Sequence, residues 1–146
     1  MSKKLIIILI LTAAVLISAF FLWNWVNQAS TDFADQKAEK RYHCTQLLTQ
    51  ISQDTASFNQ LKQKLVAVEG HIKKITREDS SLTIEMGDTN AMSSIIFQID
   101  KRHLSSFQSC KEGDSTCIKG IVTAFTQDLE LGLGNTLEMN FCSLEK

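Results

Sequence analysis

The four cysteines are the residues of this sequence whose chemistry depends most on the compartment in which the chain folds. Cys44, Cys110, Cys117 and Cys142 form an even set. In an oxidising compartment an even set favours disulfides, and four cysteines allow three connectivities. Cys110 and Cys117 enclose a Gly-Asp turn and are the easiest pair, which leaves Cys44 to pair with Cys142. The alternative is that the thiols stay free and pack as small apolar groups.

The other residues that could hold a metal or perform catalysis are too scattered for either role. None of the cysteine spacings is C-x-x-C, and His43 beside Cys44 cannot easily offer two ligands to one tetrahedral zinc ion. His71 and His103 stand alone, which is typical of solvated histidines. No Ser-His-Asp or paired-carboxylate arrangement is visible. We therefore predict no catalytic residue, no metal site and no cofactor.

The first 26 residues form the longest apolar segment. Lys3 and Lys4 precede a run from Leu5 to Trp23 that carries no charge. At about 1.5 Å per residue a helix of this length crosses the ~30 Å hydrocarbon core of a bilayer. One alternative is a signal peptide cleaved after Ala19, although bulky residues follow that position. A buried core helix would need a polar face, which this segment lacks. We predict residues 1–26 to be an N-terminal transmembrane anchor.

The charges around this segment predict its orientation in the membrane, and the charges of the remaining chain bear on the class of its partner. Lys3 and Lys4 place the N-terminus in the cytoplasm by the positive-inside rule, and the rest of the chain in the periplasm or outside the cell. The exported part keeps 13 basic residues, without those two lysines, against all 16 acidic ones, a net charge of −3. Proteins that bind nucleic acids neutralise phosphates with Lys and Arg. The balance therefore argues against a nucleic-acid partner.

A polar linker and two short helices follow the anchor. Residues 27–41 are polar and mixed in charge, and residues 42–146 contain the periodic segments of a folded domain. The first helix has Thr45 as its N-cap and the second has Asp54. Their apolar faces consist of Leu47, Leu48 and Ile51 in the first helix and of Phe58, Leu61 and Leu65 in the second.

The hydrophobic period then changes to two. In "VAVEGHIKKI" three apolar residues, Val66, Val68 and Ile72, share one face with Gly70 in phase, but Ile75 falls on the opposite face. A change of register after an in-phase glycine is typical of a β-bulge or a barrel corner. The first strand is therefore predicted to bend.

The order of the remaining segments predicts the fold class. Two more alternating strands, "SLTIEM" and "SSIIFQI", precede a short helix capped by Asp100, "KRHLSSF", and the strands "TCIKGIVTAF" and "TLEMNFCSL" follow it. Three strands, a short helix and two strands is the order of an OB-fold, whose first strand bends to serve both halves of the barrel. We predict a mainly β domain with short helices: a five-stranded OB-fold Greek-key barrel preceded by an N-terminal transmembrane helix and two short helices.

Several short motifs carry a family resemblance. The stretch from Tyr42 to Ile75, the V-x-G-x-I pattern around Gly70, the lead-in "GDSTCIKGIV" and the last strand ending near Cys142 resemble the tRNA-anti-like OB-fold family of membrane-anchored bacterial proteins. The resemblance covers roughly residues 42 to 145. It implies the OB-fold and a binding role, and the family name records likeness to an anticodon-binding domain.

The usual ligand face of an OB-fold lies across its second and third strands. Its outward residues here are Thr83, Glu85, Ser94, Ile96 and Gln98. Single-stranded nucleic acids bind through aromatic platforms flanked by basic residues, which this face lacks. A polar surface without aromatic residues is better suited to a protein or a glycan.

The loop from residue 128 to 135 is a second candidate contact site. Leu129, Leu131 and Leu133 alternate between acidic residues and glycines, which predicts leucines exposed at the tip of a hairpin. The alternative is a hairpin end that packs back on the barrel.

The function predicted from these features is that of a non-catalytic binding module displayed on the outer side of the cytoplasmic membrane by a single-pass anchor. Its partner is not specified by the sequence. One alternative is haem handling, as in the membrane-anchored OB-fold haem chaperones, although those attach haem through a histidine beyond the last strand and "CSLEK" has none. The other alternative is nucleic-acid binding, as in other OB-folds.

Overall fold

The computed structural model describes residues 3–26, 31–127 and 134–145, which belong to two compact units, residues 1–31 and 32–146. The first unit contains helix α1, Lys3–Val26. The side chains described in this helix are those of residues 12–24, and all are exposed. Within the described ranges we find no helix with the length and apolar character needed to cross a membrane.

The second unit contains six strands and three short helices among its described residues. In chain order they are β1 Lys40–His43, α2 Cys44–Gln53, α3 Thr55–Leu61, β2 Leu65–Glu78, β3 Ser81–Met86, β4 Ser94–Ile99, a 3-10 helix Lys101–Phe107, β5 Ser115–Gln127 and β6 Asn135–Leu144. The strands lie in the order β1-β2-β3-β4-β6-β5, and β2 also pairs with β5. Strands β2 to β6 therefore form a closed five-stranded barrel, which confirms the predicted mainly β fold and its element order.

Strand β1 and the residues before it extend the barrel beyond the predicted elements. β1 runs parallel to the first half of β2, with Lys40 opposite Val66 and His43 opposite Glu69. The sequence gives no sign of this strand because it is short and polar. Residues 32–39, which precede it and which we call the strap, also belong to the second compact unit.

Contacts at the start of the strap and in its middle hold it on the barrel. The Asp32 carboxylate lies 2.9 Å from Nε2 of His103 on the 3-10 helix. The Lys119 ammonium donates a hydrogen bond to the Gln36 carbonyl at 2.9 Å. Lys119 is only 6% exposed, so the strap covers a charged residue on the outer surface of β5.

A buried ion pair accompanies this contact. The Lys119 Nζ lies 3.0 Å from Glu145 Oε2, and Arg41 lies 4.0 Å from the other oxygen of the same carboxylate. Burying such a pair costs desolvation free energy that its attraction only partly offsets. The pair therefore positions the strap more than it stabilises the barrel.

The bend predicted in the first strand is present and has two components. The register of β2 against β3 shifts between Ile72 and Lys74, which is the β-bulge that the broken alternation predicts. Gly70 has a different reason for being a glycine, because a Cβ placed there would lie 2.8 Å from the Cβ of Cys44. The start of α2 thus approaches the β2 backbone more closely than a side chain would allow.

The helix caps agree with prediction at two of three positions. Asp54 accepts a hydrogen bond from the Ala56 N–H and begins α3, and Asp100 accepts one from the Arg102 N–H and begins the 3-10 helix. The prediction for Thr45 was wrong, because α2 begins at Cys44 with His43 in the capping position and no side-chain cap. The Cys44 side chain is buried in the core, and Cys44 is therefore the first residue of the helix rather than a residue before it.

Candidate functional site

Four predicted contact residues form two cross-strand pairs on the outside of the barrel. Thr83 lies opposite Gln98, and Glu85 lies opposite Ile96, in the antiparallel register of β3 and β4. Gln98 is exposed and the other three are half-buried. We call these four residues the β3–β4 face. Ser94 does not belong to it.

Ser94 is buried, with 4% of its surface exposed, so its predicted outward position was wrong. The turn after β3 folds back over it. A Cβ at Gly87 would lie 3.6 Å from the Ser94 Cβ and 2.9 Å from the Ser93 carbonyl oxygen. The loop backbone therefore covers Ser94, the first residue of β4, although Ser94 alternates in phase with the outward residues Ile96 and Gln98.

The register extends the β3–β4 face into a row that crosses four strands. Lys74 of β2 lies opposite Glu85, and Ile96 lies opposite Glu138 of β6. We call Lys74, Glu85, Ile96 and Glu138 the outer row. Neighbouring members of the row are about 4.8 Å apart, and the row curves with the wall of the barrel. Sequence reasoning missed Lys74 and Glu138 because their membership depends on strand pairing, although Glu138 alternates with buried residues as an outward position should.

A second row beside it is uncharged. Thr76 of β2 lies opposite Thr83, which in turn lies opposite Gln98. Hydroxyl and amide groups such as these donate and accept hydrogen bonds without favouring either charge. Together the two rows form a polar surface with one apolar residue, Ile96, near its centre.

The charges of the outer row are compensated at one position. The Lys73 ammonium lies 3.7 Å from Glu85 Oε1 and donates a hydrogen bond to the Ala91 carbonyl at 2.9 Å. Lys73 therefore joins Glu85 to the loop after β3 and offsets its charge. Glu138 has no such neighbour within the described ranges.

The four cysteines carry free thiols in the structure. Neither predicted bridge, Cys110–Cys117 or Cys44–Cys142, is present, and the bridges stay a prediction for oxidising conditions. Burial raises the pKa of Cys44 to about 11 and also raises that of Cys142, whose Sγ donates a hydrogen bond to the Met139 carbonyl at 3.3 Å. Thiols in such surroundings are weak nucleophiles.

A cavity beside the start of α2 also contains titratable residues. It has a volume of about 360 Å³, and its lining includes His43, His71 and Asp88. In the part of the chain that the structure describes, no group of three or more His, Cys, Asp or Glu residues could hold a metal ion. The predicted loop residues Leu129, Leu131 and Leu133 lie outside the described residues.

Comparison with known proteins places the barrel in a family. The sequence model of the tRNA_anti-like family matches residues 1–131. The chain belongs to the tRNA-anti-like family. This confirms the resemblance seen in the motifs around Gly70 and Gly120, and the match begins well before residue 42, where those motifs begin. Among curated proteins, none matches the chain.

Solved structures of similar fold include a candidate nucleic acid-binding lipoprotein from Klebsiella pneumoniae, with 17% identity and a TM-score of 0.54 over 81% of this chain and 100% of that one. An aspartyl-tRNA synthetase from Entamoeba histolytica has 12% identity and a TM-score of 0.43, over 58% of this chain and 19% of that one. The OBody AM3L09, solved bound to hen egg-white lysozyme, has 17% identity and a TM-score of 0.42, over 58% of this chain and 84% of that one. The tRNA-anti-like domain described here thus shares the OB-fold of the Klebsiella protein.

Proposed function

We propose that this tRNA-anti-like protein is a non-catalytic binding module whose partner contacts the β3–β4 face. The observation that carries the proposal is the pairing of Thr83 with Gln98 and of Glu85 with Ile96 on the strands that OB-folds use for ligands. The face offers hydrogen-bonding groups and one apolar residue and contains no aromatic ring. A protein or a glycan is the partner that such a surface suits best.

We further infer that residues 1–26 anchor the domain to the cytoplasmic membrane, with the N-terminus in the cytoplasm and the barrel in the periplasm or outside the cell. Support comes from the uncharged run between Leu5 and Trp23 and from the two lysines that precede it. The Klebsiella protein of the same fold is named a lipoprotein, a class attached to membranes by another route. Mature protein from the membrane fraction should retain Met1 or Ser2 in N-terminal peptide mass analysis, whereas a start near Phe20 would indicate a cleaved signal peptide.

The binding proposal is tested by affinity capture of the full chain from mild detergent. The double variant Thr83→Ala with Gln98→Ala removes the uncharged pair without touching the core, and it should reduce the captured partner at an unchanged melting temperature. Glu69→Ala is a matched control, because Glu69 is an exposed strand residue on β2 outside the β3–β4 face. Equal loss in the control, or no loss in the double variant, would remove the β3–β4 face from the proposal.

The leucines at the hairpin tip stay a second proposed contact. Leu131→Asp combined with Leu133→Asp should leave the barrel folded and weaken the same capture. A large drop in melting temperature would instead mean that these leucines pack on the barrel.

Nucleic acid is the second candidate ligand, because the Klebsiella protein is named for nucleic-acid binding. That candidate requires an affinity for single-stranded oligonucleotides that falls steeply with salt and is lost when Lys74 is replaced by alanine. We expect neither, because the outer row has carboxylates at two of its four positions. Haem binding is tested separately by the absorbance of the purified chain after incubation with haem.

A further inference from the structure

One carboxylate of the outer row has no partner among the residues that the structure describes. Glu138 is half-buried on β6, and its side chain makes no hydrogen bond or ion pair within those ranges. Its register neighbours, Ile96 on β4 and Ala124 on β5, are uncharged. A carboxylate that is partly removed from water and has no compensating charge favours contact with a cation.

The residue beside Glu138 specifies what kind of cation fits. Ile96 is half-buried and lies one strand spacing, about 4.8 Å, from Glu138. Lysine and arginine side chains place an aliphatic stem on apolar surface while their charged group reaches a polar one. Ile96 provides apolar surface for the aliphatic stem, and Glu138 provides a carboxylate for the charged group.

We propose, resting on the proposed function above, that Ile96 and Glu138 receive a lysine or arginine side chain of a polypeptide partner. The partner crosses the β3–β4 face in an extended conformation, with its backbone next to the hydrogen-bonding groups of Thr83 and Gln98. A nucleic acid does not fit this arrangement, because its phosphates would lie beside the Glu85 and Glu138 carboxylates.

The opposite end of the outer row adds a second charge requirement for the partner. Lys74 is exposed and has no ion pair within the described ranges. We therefore expect the partner segment to carry an acidic residue as well as the basic residue that contacts Glu138.

The test is a titration of the full chain in mild detergent with the peptide Thr-Lys-Thr-Val-Thr-Glu-Thr, followed by amide chemical shifts. We expect saturable shifts at Ile96, Gln98 and Glu138, and we expect Glu138→Gln to weaken binding about fivefold, the upper range for a surface ion pair. Glu69→Gln, the matched control, should leave the affinity unchanged. Replacing the lysine of the peptide by norleucine should weaken binding to the unaltered chain by the same factor, which keeps the test valid if Glu138→Gln destabilises the barrel.

Three other outcomes are possible, and each overturns a defined part of the proposal. If Thr83→Ala with Gln98→Ala weakens binding while Glu138→Gln and the norleucine peptide do not, the cation site is wrong and the β3–β4 face stands. If the peptide shifts no amide of β3, β4 or β6, both the inference and the proposed face fail. If a single-stranded oligonucleotide shifts these amides and the peptide does not, the occupant is a nucleic acid and the inference is overturned.

Discussion

Gly120 lies on β5 at a point where a side chain would collide with the Cys142 thiol of the neighbouring strand β6. We expect Gly120→Ala to lower the free energy of unfolding by about 1–3 kcal/mol, the usual cost of overpacking a core. Cys142→Ala should relieve part of that cost, because it removes the nearest atom, Sγ, but leaves the Asn140 carbonyl oxygen at 3.1 Å. Chemical denaturation of both single variants and the double variant measures this coupling.

Gly70 provides the control for that cycle. A Cβ at Gly70 would meet the Cβ of Cys44, an atom that Cys44→Ala retains. The cost of Gly70→Ala should therefore be the same with and without Cys44→Ala. If Cys142→Ala fails to rescue Gly120→Ala, the thiol is not what excludes a side chain at position 120.

The four thiols should differ in reactivity because they differ in burial. Burial raises the pKa of all four thiols, but Cys110 and Cys117 are only half-buried, whereas Cys44 and Cys142 are buried. In the reduced, folded chain at neutral pH, a thiol reagent should label the first two quickly and the other two only as the barrel opens. Mass analysis of labelled peptides over time measures this order. Equal rates at all four positions would contradict the packing of Cys44 and Cys142.

At the scale of elements, the strap should be released in acid. The pKa of the Asp32 carboxyl is lowered, chiefly by the hydrogen bond from the Ala34 N–H and also by His103 and Arg102. The ionised Asp32 carboxylate stabilises the docked strap fully at pH values above about 4, the usual pKa of an aspartate. This stabilisation is lost as the pH falls through the lowered pKa. Amide chemical shifts of residues 32–39 at pH 6 and pH 3 should show the release.

Asp32→Asn separates this effect from other acid titrations. The pKa of Asp100 is also lowered, through its contact with Arg102, so both carboxyls titrate in the same range. The Asp32→Asn variant should show a loosened strap already at pH 6 and little further change on acidification. A strap that stays docked in this variant at both pH values would mean that its other contacts, including the one between Lys119 and Gln36, are enough to hold it.

Some structural elements can be predicted from the sequence and others cannot. Alternation of apolar residues predicts the five barrel strands, and the broken phase around Lys73 predicts the bulge, because side chains facing a core must be apolar at period two. The strap and β1 are held through backbone atoms, such as the Gln36 carbonyl and the β1–β2 ladder, and such contacts leave no side-chain pattern. Ser94 has the parity of the outer face, but a loop covers it.

Part of the candidate site could be predicted from the sequence, because alternation along a strand leaves a side-chain pattern whereas the pairing of strands does not. The four residues of the β3–β4 face follow from strand parity alone. Lys74 and Glu138 join them only through the register of β2 and β6, and the parallel pairing of β4 with β6 cannot be inferred from the order of strands in the sequence. The unpaired charge of Glu138 is therefore a property of the fold rather than of a motif.

At the scale of the whole molecule, the second compact unit should fold without the first. A chain that begins at Asp32 keeps the strap and β1 and should melt within a few degrees of the full protein. A chain that begins at Cys44 loses both, and we expect its melting temperature to fall by about 10–20 °C, since several hydrogen bonds are lost at roughly 1 kcal/mol each and such a domain loses several degrees per kcal/mol. Circular dichroism melts of both truncated chains measure the difference, and equal melting temperatures would show that the strap adds no stability.

The position of β6 between β4 and β5 has a kinetic consequence. Strands β2, β3 and β4 can pair as neighbours along the chain, and so can β5 and β6, but the barrel closes only when β6 also pairs with β4 and β5 also pairs with β2. These two closing pairings join distant parts of the sequence, and folding rates fall as such pairings come to dominate. We therefore expect folding on the millisecond-to-second timescale, with a three-stranded meander formed first and ring closure as the slow step.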